Sequence, residues 1–478
     1  MSSPIFPPQR TAFPHHVFRE YDIRGIAGSD ISEELAYRLG KAFAAILPQD
    51  DQRAVSVARD VRVSGQLLQA ALMRGLNDAG RDVIDIGMAP TPLAYYSVFD
   101  LDTAGCIVVT ASHNPSCDNG FKLMKGQESL HGQDIQQIKK LIQQNLQPSQ
   151  KKGVITSISI QNNYENFVVA DCSLSQQRRN KLKVVIDAGN GPSGIIAAPL
   201  YRRIGCDVVE LYCQPDGRFP NHHPDPTIEE NMRDLAHKVR ATGSDLGIAF
   251  DGDGDRIGIV DESGVIIWGD MLLLLLAREL LKEHPEATII SEIKSSQLLY
   301  SGIQQAGGKA IMWRTGHSPI KAKMKETGAL LAGEMSGHIF FADRFYGFDD
   351  AVYAGARILQ LLSTVNHPIS TFLHDVPHSE ITPEIRISCS DQYKFLYIED
   401  AKKHFLELGY EVIAIDGMRI QYKGGWGLLR ASNTQAALVL RFEASDIKCL
   451  NEIQALIATW LYSKGIIPSR ALEAMQNA

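Results

Sequence analysis

The sequence has few cysteines, and they are scattered. Its 478 residues include seven cysteines, and no two of them form a C-x-x-C pair. Such spacing is typical neither of a disulfide framework nor of a structural zinc site. We therefore expect a protein of a reducing compartment, the cytoplasm being the simplest choice.

The sequence also lacks a long hydrophobic run and a basic N-terminal segment. Its strongest apolar run, residues 271–277, is stopped by Asp270 and Arg278, far short of the roughly 20 residues that span a bilayer. We expect a buried helix there. Residues 1–16 are rich in proline and have no basic start, so they predict an extended arm and not a signal peptide.

Positive charge is not in excess, and no short repeat is apparent. The formal net charge of -7 argues against general nucleic-acid binding, although local phosphate sites stay possible. A hydrophobic content of 44% is ordinary for a folded chain, and the length predicts about three domains. The absence of a solenoid period favours globular domains.

Short apolar strands alternate with amphipathic segments such as residues 33–47 and 66–79, which is typical of βαβ units. The polar stretch 147–153 is the clearest linker, and the turns 261–264 and 375–377 are weaker ones. The turn 261–264 could equally be a hairpin inside a domain. These breaks predict domains at 1–153, 154–262, 263–375 and 376–478. The first three are predicted to be α/β.

A hydroxyl follows one of the predicted strands. The apolar run 105–109 leads into Thr-Ala-Ser-His-Asn-Pro at 110–115, and the proline cannot continue a strand. Ser112, with the His113 imidazole beside it, could carry a covalent group if a nearby charge compensates it. The alternative is a polar turn whose side chains satisfy only local backbone groups.

Three carboxylates follow another predicted strand, at 245–250. Asp251, Asp253 and Asp255 alternate with glycines, and such crowding of like charge favours a cation among them. Oxygen ligands suit Mg²⁺ or Ca²⁺. An EF-hand would explain the triplet and Glu262, but Arg256 replaces its glycine and strands replace its helices. A solvated acidic turn is the other alternative.

Two further segments offer groups for a sugar phosphate. Residues 333–338 place Glu334, Ser336 and His338 among glycines, where they could bind vicinal hydroxyls. A glycine-rich surface loop would look similar. Residues 430–434 combine a guanidinium, two hydroxyls and an amide, a set suited to a phosphate dianion. An ordinary polar hairpin is the alternative there.

Taken in order, these segments resemble the α-D-phosphohexomutases, most closely the bacterial phosphomannomutase/phosphoglucomutase branch. The resemblance covers nearly the whole chain. Besides the Ser112 turn, the aspartate triplet and the Glu334 and Arg430 loops, the matching segments are 18–25, 119–122, 219–226, 292–294 and 316–318.

The resemblance implies three similar mixed-sheet α/β domains and a smaller C-terminal α+β domain around a central cleft. It also implies an enzyme that is phosphorylated on Ser112 and holds Mg²⁺ with that phosphate and the three aspartates. Hexose 1-phosphate and 6-phosphate would interconvert through a hexose 1,6-bisphosphate. The implied site residues are Tyr21, Arg24, Ser112, His113, Lys122, Asp251, Asp253, Asp255, Arg256, Lys294, His317, Glu334, Ser336, His338, Arg430, Ser432, Asn433 and Thr434.

Some details stay open. Lys122 and His338 are both candidates for proton transfer, and the sequence does not choose between them. After Thr434 the chain has Gln435-Ala436 where the branch has Thr-Pro, which leaves the rigidity of the phosphate loop uncertain. Met335 favours mannose and glucose phosphates by resemblance. No nucleic acid or membrane partner is expected, and a monomer is favoured.

The sequence leaves four other functions to be weighed. Residues 183–194 and Glu210 satisfy a dinucleotide fingerprint. A nicotinamide enzyme would leave the Ser112 turn and the aspartate triplet unexplained, so we interpret the segment as architecture. A sugar-phosphate sensor would not need the catalytic serine and metal site. A phosphatase acting through phospho-Ser112 and a phosphoglucosamine mutase are the remaining alternatives.

Overall fold

The computed structural model describes residues 14–144, 146–175, 181–432 and 435–466. The predicted N-terminal arm lies mostly outside these ranges, and a short 3-10 helix, His15–Val17, precedes the first strand. Within the described ranges the chain forms four β-sheets, three mixed and one antiparallel, that follow one another along the sequence.

The first sheet has the order β1-β5-β4-β2-β3-β7, and β6 pairs with β5. Its central strands are parallel, and β5 runs antiparallel to both β1 and β4. The strands are β1 (Ile23–Ile26), β2 (Val55–Arg59), β3 (Val83–Met88), β4 (Gly105–Val109), β5 (Asp118–Lys125), β6 (Glu128–Ser129) and β7 (Ile155–Ser157). The helices are α1 (Glu33–Ile46), α2 (Gly65–Asp78), α3 (Thr91–Asp100) and α4 (Gln133–Gln143).

The second sheet has the order β12-β11-β10-β8-β9. Here β8 pairs in parallel with β9 and β10, whereas β10 and β11 form an antiparallel hairpin. The strands are β8 (Lys183–Asp187), β9 (Asp207–Leu211), β10 (Leu246–Phe250), β11 (Ile257–Asp261) and β12 (Ile266–Ile267). The helices are α5 (Gln161–Asp171), α6 (Gly194–Arg203) and α7 (Glu229–Thr242).

The third sheet has the order β14-β13-β15-β16, with only β16 antiparallel. The strands are β13 (Thr288–Glu292), β14 (Lys309–Trp313), β15 (Leu331–Gly333) and β16 (Ile339–Phe341). The helices are α8 (Gly269–Glu283), α9 (Gln297–Gln305), α10 (His317–Thr327) and α11 (Ala351–Ser363), followed by the 3-10 helix Ile369–Leu373.

The fourth sheet is antiparallel and has the order β17-β22-β21-β20-β19, with β18 on β22. The strands are β17 (Glu380–Ile381), β18 (Ile385–Ser388), β19 (Glu411–Ile413), β20 (Met418–Tyr422), β21 (Gly425–Ala431) and β22 (Ala437–Ala444). Two helices, α12 (Lys394–Glu407) and α13 (Ile447–Ser463), accompany them.

Two sheets continue past the boundaries predicted from the sequence. The strand β7 pairs with β3 of the first sheet, and β12 pairs with β11 of the second. Because a strand belongs with the sheet that satisfies its backbone, we propose domain limits near residues 158 and 268, a few residues later than 153 and 262. The predicted limit near residue 375 precedes β17, and we retain it in this proposal.

One apolar cluster joins the first three domains. It includes Tyr96 of α3, Tyr164 of α5 and Phe250 of β10, each at most 4% exposed. The leucine run 272–276 of α8 lies in the same cluster, so the prediction of a buried helix at 271–277 is confirmed. The C-terminal domain has a separate cluster of its own. Within the described part of the chain, no helix has the length and apolar character needed to cross a membrane.

Candidate active site

Ser112 occupies a tight turn between β4 and β5. Its backbone is left-handed, with φ of +49°, and the residue is only 1% exposed. The hydroxyl donates to Oδ2 of Asp251 at 2.6 Å and lies 3.0 Å from Nδ1 of His113. Thus the predicted serine and metal segments, 139 residues apart in the chain, meet directly.

The aspartate triplet lies in the turn between β10 and β11. All three carboxylates are fully buried, and one oxygen from each lies within 4.8 Å of the others. Burial, together with Asp253 and Asp255, raises the pKa of Asp251 well above its ordinary value. Among the described residues, Oδ1 of Asp253 and Oδ1 of Asp255 have no hydrogen-bond partner, so this all-oxygen cluster fits a divalent cation.

The structure excludes an EF-hand at this position. Strands and not helices flank the loop, because β10 and β11 pair with each other in an antiparallel register. Glu262 lies away from the triplet and accepts a hydrogen bond from the Ser370 hydroxyl at 2.5 Å. A calcium loop needs two flanking helices and a glutamate that turns back to the ion, and both are missing here.

Lys122 of β5 compensates part of the negative charge. Its ammonium donates to Oδ2 of Asp253 at 2.7 Å and to Oδ2 of Asp255. Burial alone would lower the pKa of Lys122, but Asp253 and Asp255 raise that pKa above its ordinary value. Arg24 of β1 lies on the same side of the turn, donating to the Asn114 side chain at 3.1 Å. The structure thus places two predicted cations beside Ser112.

Two histidines stack beyond the triplet. The rings of His317 and His338 lie 5.5 Å apart, and Tyr21 meets His317 edge-on at 5.9 Å. Nε of Arg256 donates to Nε2 of His338 at 3.0 Å. Nδ1 of His338 lies 2.9 Å from Oδ2 of the buried Asp349. These contacts leave the Nδ1 proton on His338 facing Asp349.

The predicted sugar loop connects β15 and β16. Glu334 is 3% exposed, and its Oε1 accepts from the amide of Gly316 at 2.6 Å. Burial, with Glu292 nearby, raises the pKa of Glu334 to about 7. Ser336 is half-buried beside it. Oε1 of Glu292 accepts from the amide of Met335 at 3.0 Å, which ties the loop to the end of β13.

Two of the predicted substrate-binding residues, Lys294 and Arg430, come from the third and fourth domains. The Lys294 ammonium donates to Glu384 at 3.1 Å. Nη2 of Arg430 donates to Oδ2 of Asp416 at 3.0 Å, and the same oxygen accepts from the amide of Thr315. Tyr21 of the first domain donates to the Thr315 carbonyl at 2.9 Å. This chain of contacts joins three domains around one cleft.

Lys394 of α12 supports the Arg430 loop. Its buried ammonium donates to the carbonyls of Ser432 at 2.5 Å and Gln435 at 3.0 Å. Asn433 and Thr434, the other two predicted phosphate ligands, lie outside the described residues. The two bonds support the loop on both sides of these residues. One of them is made to Gln435, where the sequence departs from the branch pattern.

The dinucleotide-like segment serves as a strand-to-helix turn. It links β8 to α6, and the amide of Gly189 donates to Oδ1 of Asp187 at 2.8 Å. A Cβ on Gly194 would lie 2.6 Å from the Cys213 carbonyl, so close packing requires the glycine. Glu210, the expected ribose ligand, instead pairs with Arg202 at 2.6 Å. The interpretation of the segment as architecture agrees with these contacts.

Several buried polar residues of the site were not predicted. Thr91 donates to Oδ2 of Asp253 at 2.5 Å, and Asp349 pairs with both His338 and Lys321. Asp60 follows β2 at the same sheet edge as Ser112. That last position could have been found, since the carboxyl ends of parallel strands meet at one edge. Thr91 and Asp349 carry no comparable sequence signal.

Comparisons with known proteins agree with this geometry. The phosphoglucomutase/phosphomannomutase family models match in order: α/β/α domain I at 15–149, domain II at 162–264, domain III at 268–379 and the C-terminal domain at 384–459.

A phosphomannomutase/phosphoglucomutase of Pseudomonas putida is 44% identical over 94% of this chain and 96% of its own length. A phosphoglucomutase of Neisseria gonorrhoeae is 42% identical over 92% and 95%. A solved structure of a phosphoglucomutase/phosphomannomutase family protein from Burkholderia thailandensis superposes with a TM-score of 0.86, at 40% identity, covering 96% of this chain and 98% of that one. The predicted family and fold class are both confirmed, and the chain belongs to the phosphoglucomutase/phosphomannomutase family of α-D-phosphohexomutases.

Proposed function

We propose that this enzyme interconverts hexose 1-phosphates and hexose 6-phosphates, with mannose or glucose as the sugar, through phospho-Ser112 and a hexose 1,6-bisphosphate. The observation that carries the proposal is the 2.6 Å contact between Ser112 Oγ and Asp251 Oδ2. It brings a potential phosphate carrier to a buried anionic cluster that needs a cation. The close relatives named as mutases support the same reaction.

In the first half-reaction the phosphate of phospho-Ser112 passes to the free hydroxyl of the sugar. The bond from phosphorus to Ser112 Oγ breaks, a bond to the sugar oxygen forms, a basic group takes the hydroxyl proton, and Ser112 Oγ takes up a proton as it leaves. In the second half-reaction the bond between the other phosphate and its sugar oxygen breaks, a bond to Ser112 Oγ forms, and the serine proton passes to the sugar oxygen that is released. Such transfers depend chiefly on positioning and charge compensation.

The charges around Ser112 suit this role. Asp251, Asp253 and Asp255 would hold Mg²⁺, which when bound neutralises phosphate charge during transfer. Lys122, bonded to Asp253, and Arg24, bonded to Asn114, add positive charge beside the same turn.

For proton transfer we propose His338 over Lys122. The Lys122 ammonium donates to two carboxylates, whereas His338 has a ring nitrogen that accepts a hydrogen bond from Arg256. We assign the neighbouring His113, His317 and Tyr21 to the cleft wall, where they orient the transferring group.

The bisphosphate must reverse its orientation in the cleft between the half-reactions, so the end of the sugar that is not reacting needs a binding site of its own. Glu334 and Ser336 would bind sugar hydroxyls, and Lys294, Arg430 and Ser432 would hold the phosphate that is not reacting. Asn433 and Thr434 complete this set by resemblance. A cytoplasmic location and a monomeric state stay predictions.

A coupled assay of mannose 1-phosphate, glucose 1-phosphate and glucosamine 1-phosphate, run side by side, tests the proposal. We expect isomerisation of the first two and slower turnover of the third. Turnover restricted to the glucosamine ester would instead indicate a phosphoglucosamine mutase. Inorganic phosphate released faster than product would indicate a phosphatase, and binding without turnover would indicate a sensor.

Arg430→Ala is expected to weaken hexose-phosphate binding about 10- to 100-fold, the usual range for a lost charge-assisted pair. The effect should fall on KM and on the calorimetric dissociation constant more than on kcat. Lys402→Ala provides the control, because Lys402 belongs to the same domain but, within the part of the chain that the structure describes, forms its ion pair with Glu399 of the same helix, α12. Equal dissociation constants for Arg430→Ala and the wild type would remove Arg430 from the phosphate site.

A further inference from the structure

The guanidinium of Arg62 lies directly beneath the Ser112 turn. Arg62 follows β2 and is 1% exposed. Its Nη2 donates to the carbonyls of Ser112 at 2.7 Å and Asn114 at 2.6 Å. Its Nη1 donates to the carbonyls of Pro115 at 2.5 Å and Asp118 at 2.8 Å. One side chain therefore binds four carbonyls of a single loop.

The remaining donor of Arg62 is used as well. Nε donates to Oδ2 of Asp60 at 3.1 Å, so all five N–H groups of the guanidinium are engaged. The same carboxylate oxygen of Asp60 accepts from the Thr110 hydroxyl at 2.7 Å, and that hydroxyl accepts from the amide of Ser112 at 2.9 Å. Arg62 and Asp60 thus fix both the amide and the carbonyl of Ser112.

Ser112 needs such support because its conformation is unfavourable. A residue with a side chain rarely adopts a left-handed backbone, and Ser112 has φ of +49°. The metal loop is also in contact with the turn, because a Cβ on Gly252 would lie only 2.4 Å from the Ser112 carbonyl. Any shift of that carbonyl would move Ser112 Oγ relative to Asp251.

We infer that Arg62 is a positioning residue for phosphoryl transfer, holding the Ser112 turn against the metal loop in the orientation that the reaction requires. The inference rests on the proposed role of Ser112 as the phosphate carrier. Arg62 acts through the backbone carbonyls and touches no substrate. A lysine would keep the charge, but its single ammonium has three donors and cannot span four carbonyls.

Arg62→Lys tests this role. Because a displacement of about 1 Å can cost roughly 100-fold in rate, we expect kcat to fall by about that factor. The dissociation constant for glucose 1-phosphate should stay within about threefold of the wild type, since the residues proposed to bind the sugar and its phosphate lie on the third and fourth domains. The rate at which glucose 1,6-bisphosphate phosphorylates Ser112, followed by intact-protein mass spectrometry, should fall with kcat.

Arg81→Lys is the matched control. Arg81 belongs to the same domain and also donates to backbone carbonyls, those of Pro48 at 2.7 Å and Asp51. These lie before β2, at the end of the sheet opposite to the Ser112 turn. This variant should lose thermal stability without losing kcat or the rate of Ser112 phosphorylation.

Each outcome decides the inference. An unchanged kcat in Arg62→Lys, beside an active wild type, would overturn it, and so would a loss of glucose 1-phosphate binding as large as the loss of rate. An inactive wild type would overturn the proposed function and this inference with it. If Arg62→Lys does not fold, Thr110→Val replaces it as the test, because it removes the bond to the Ser112 amide. The inference then requires that kcat falls about 10-fold while the dissociation constant for glucose 1-phosphate stays normal.

Discussion

Ser112→Ala should lower kcat for hexose-phosphate isomerisation by about 10⁴-fold or more, because the variant has no oxygen to accept the phosphate. Binding should survive, since the groups proposed to hold the sugar and its distant phosphate lie elsewhere in the cleft. The dissociation constant for glucose 1-phosphate is therefore expected to change less than about threefold. Mass spectrometry after incubation with glucose 1,6-bisphosphate should show no phosphorylated protein.

Ser116→Ala is the control for this variant. Ser116 belongs to the same loop, four residues later, but its side chain is exposed. It should retain full activity and accept one phosphate. Turnover by Ser112→Ala at the wild-type rate would exclude the serine as carrier, whatever other residues line the cleft.

Asp253→Asn should weaken Mg²⁺ binding by at least about 10- to 100-fold and lower kcat with it. The substitution keeps the shape of the side chain but removes one of three buried charges that favour the cation. Calorimetric titration with MgCl₂ measures the effect without reference to turnover. Rate measurements at rising Mg²⁺ concentration should then show a partial recovery.

Asp261→Asn is the matched control for the metal site. Asp261 is also buried, on β11, but its Oδ1 accepts from the amides of Ser263 and Val265 in the following turn. The Asp261→Asn protein should have the same Mg²⁺ dissociation constant as the wild type. An Asp253→Asn protein with an unaltered Mg²⁺ dissociation constant would contradict the assignment of the ligands.

Much of this site could be predicted because its chemistry is concentrated in short segments. Ser112 and the three aspartates each follow a buried strand, so their positions at a sheet edge could be inferred from apolar runs and glycines. The approach of Ser112 Oγ to Asp251 could not be inferred, because it depends on how the first two domains pack against each other.

Other contributors have no pattern of their own. From the sequence, Arg62 is indistinguishable from an ordinary surface arginine. The fold shows that its side chain is buried and donates hydrogen bonds to four carbonyls. Asp349 likewise becomes meaningful only where it meets His338. The domain limits that we propose lie a few residues later than those expected from the sequence, because β7 and β12 are short strands that follow polar turns. Short edge strands depend on their neighbours more than on their own sequence.

The apolar cluster shared by the first three domains affects how the molecule loses its structure. Side chains from α3, α5 and α8 lie in one interior, so heat should dismantle those domains as a single cooperative block. The C-terminal domain has a larger interior of its own and shares a small cluster of Ile293, Trp426 and Leu428 with the third domain, so we expect it to melt at a different temperature. A calorimeter would then record two endotherms, although the described residues form four sheets.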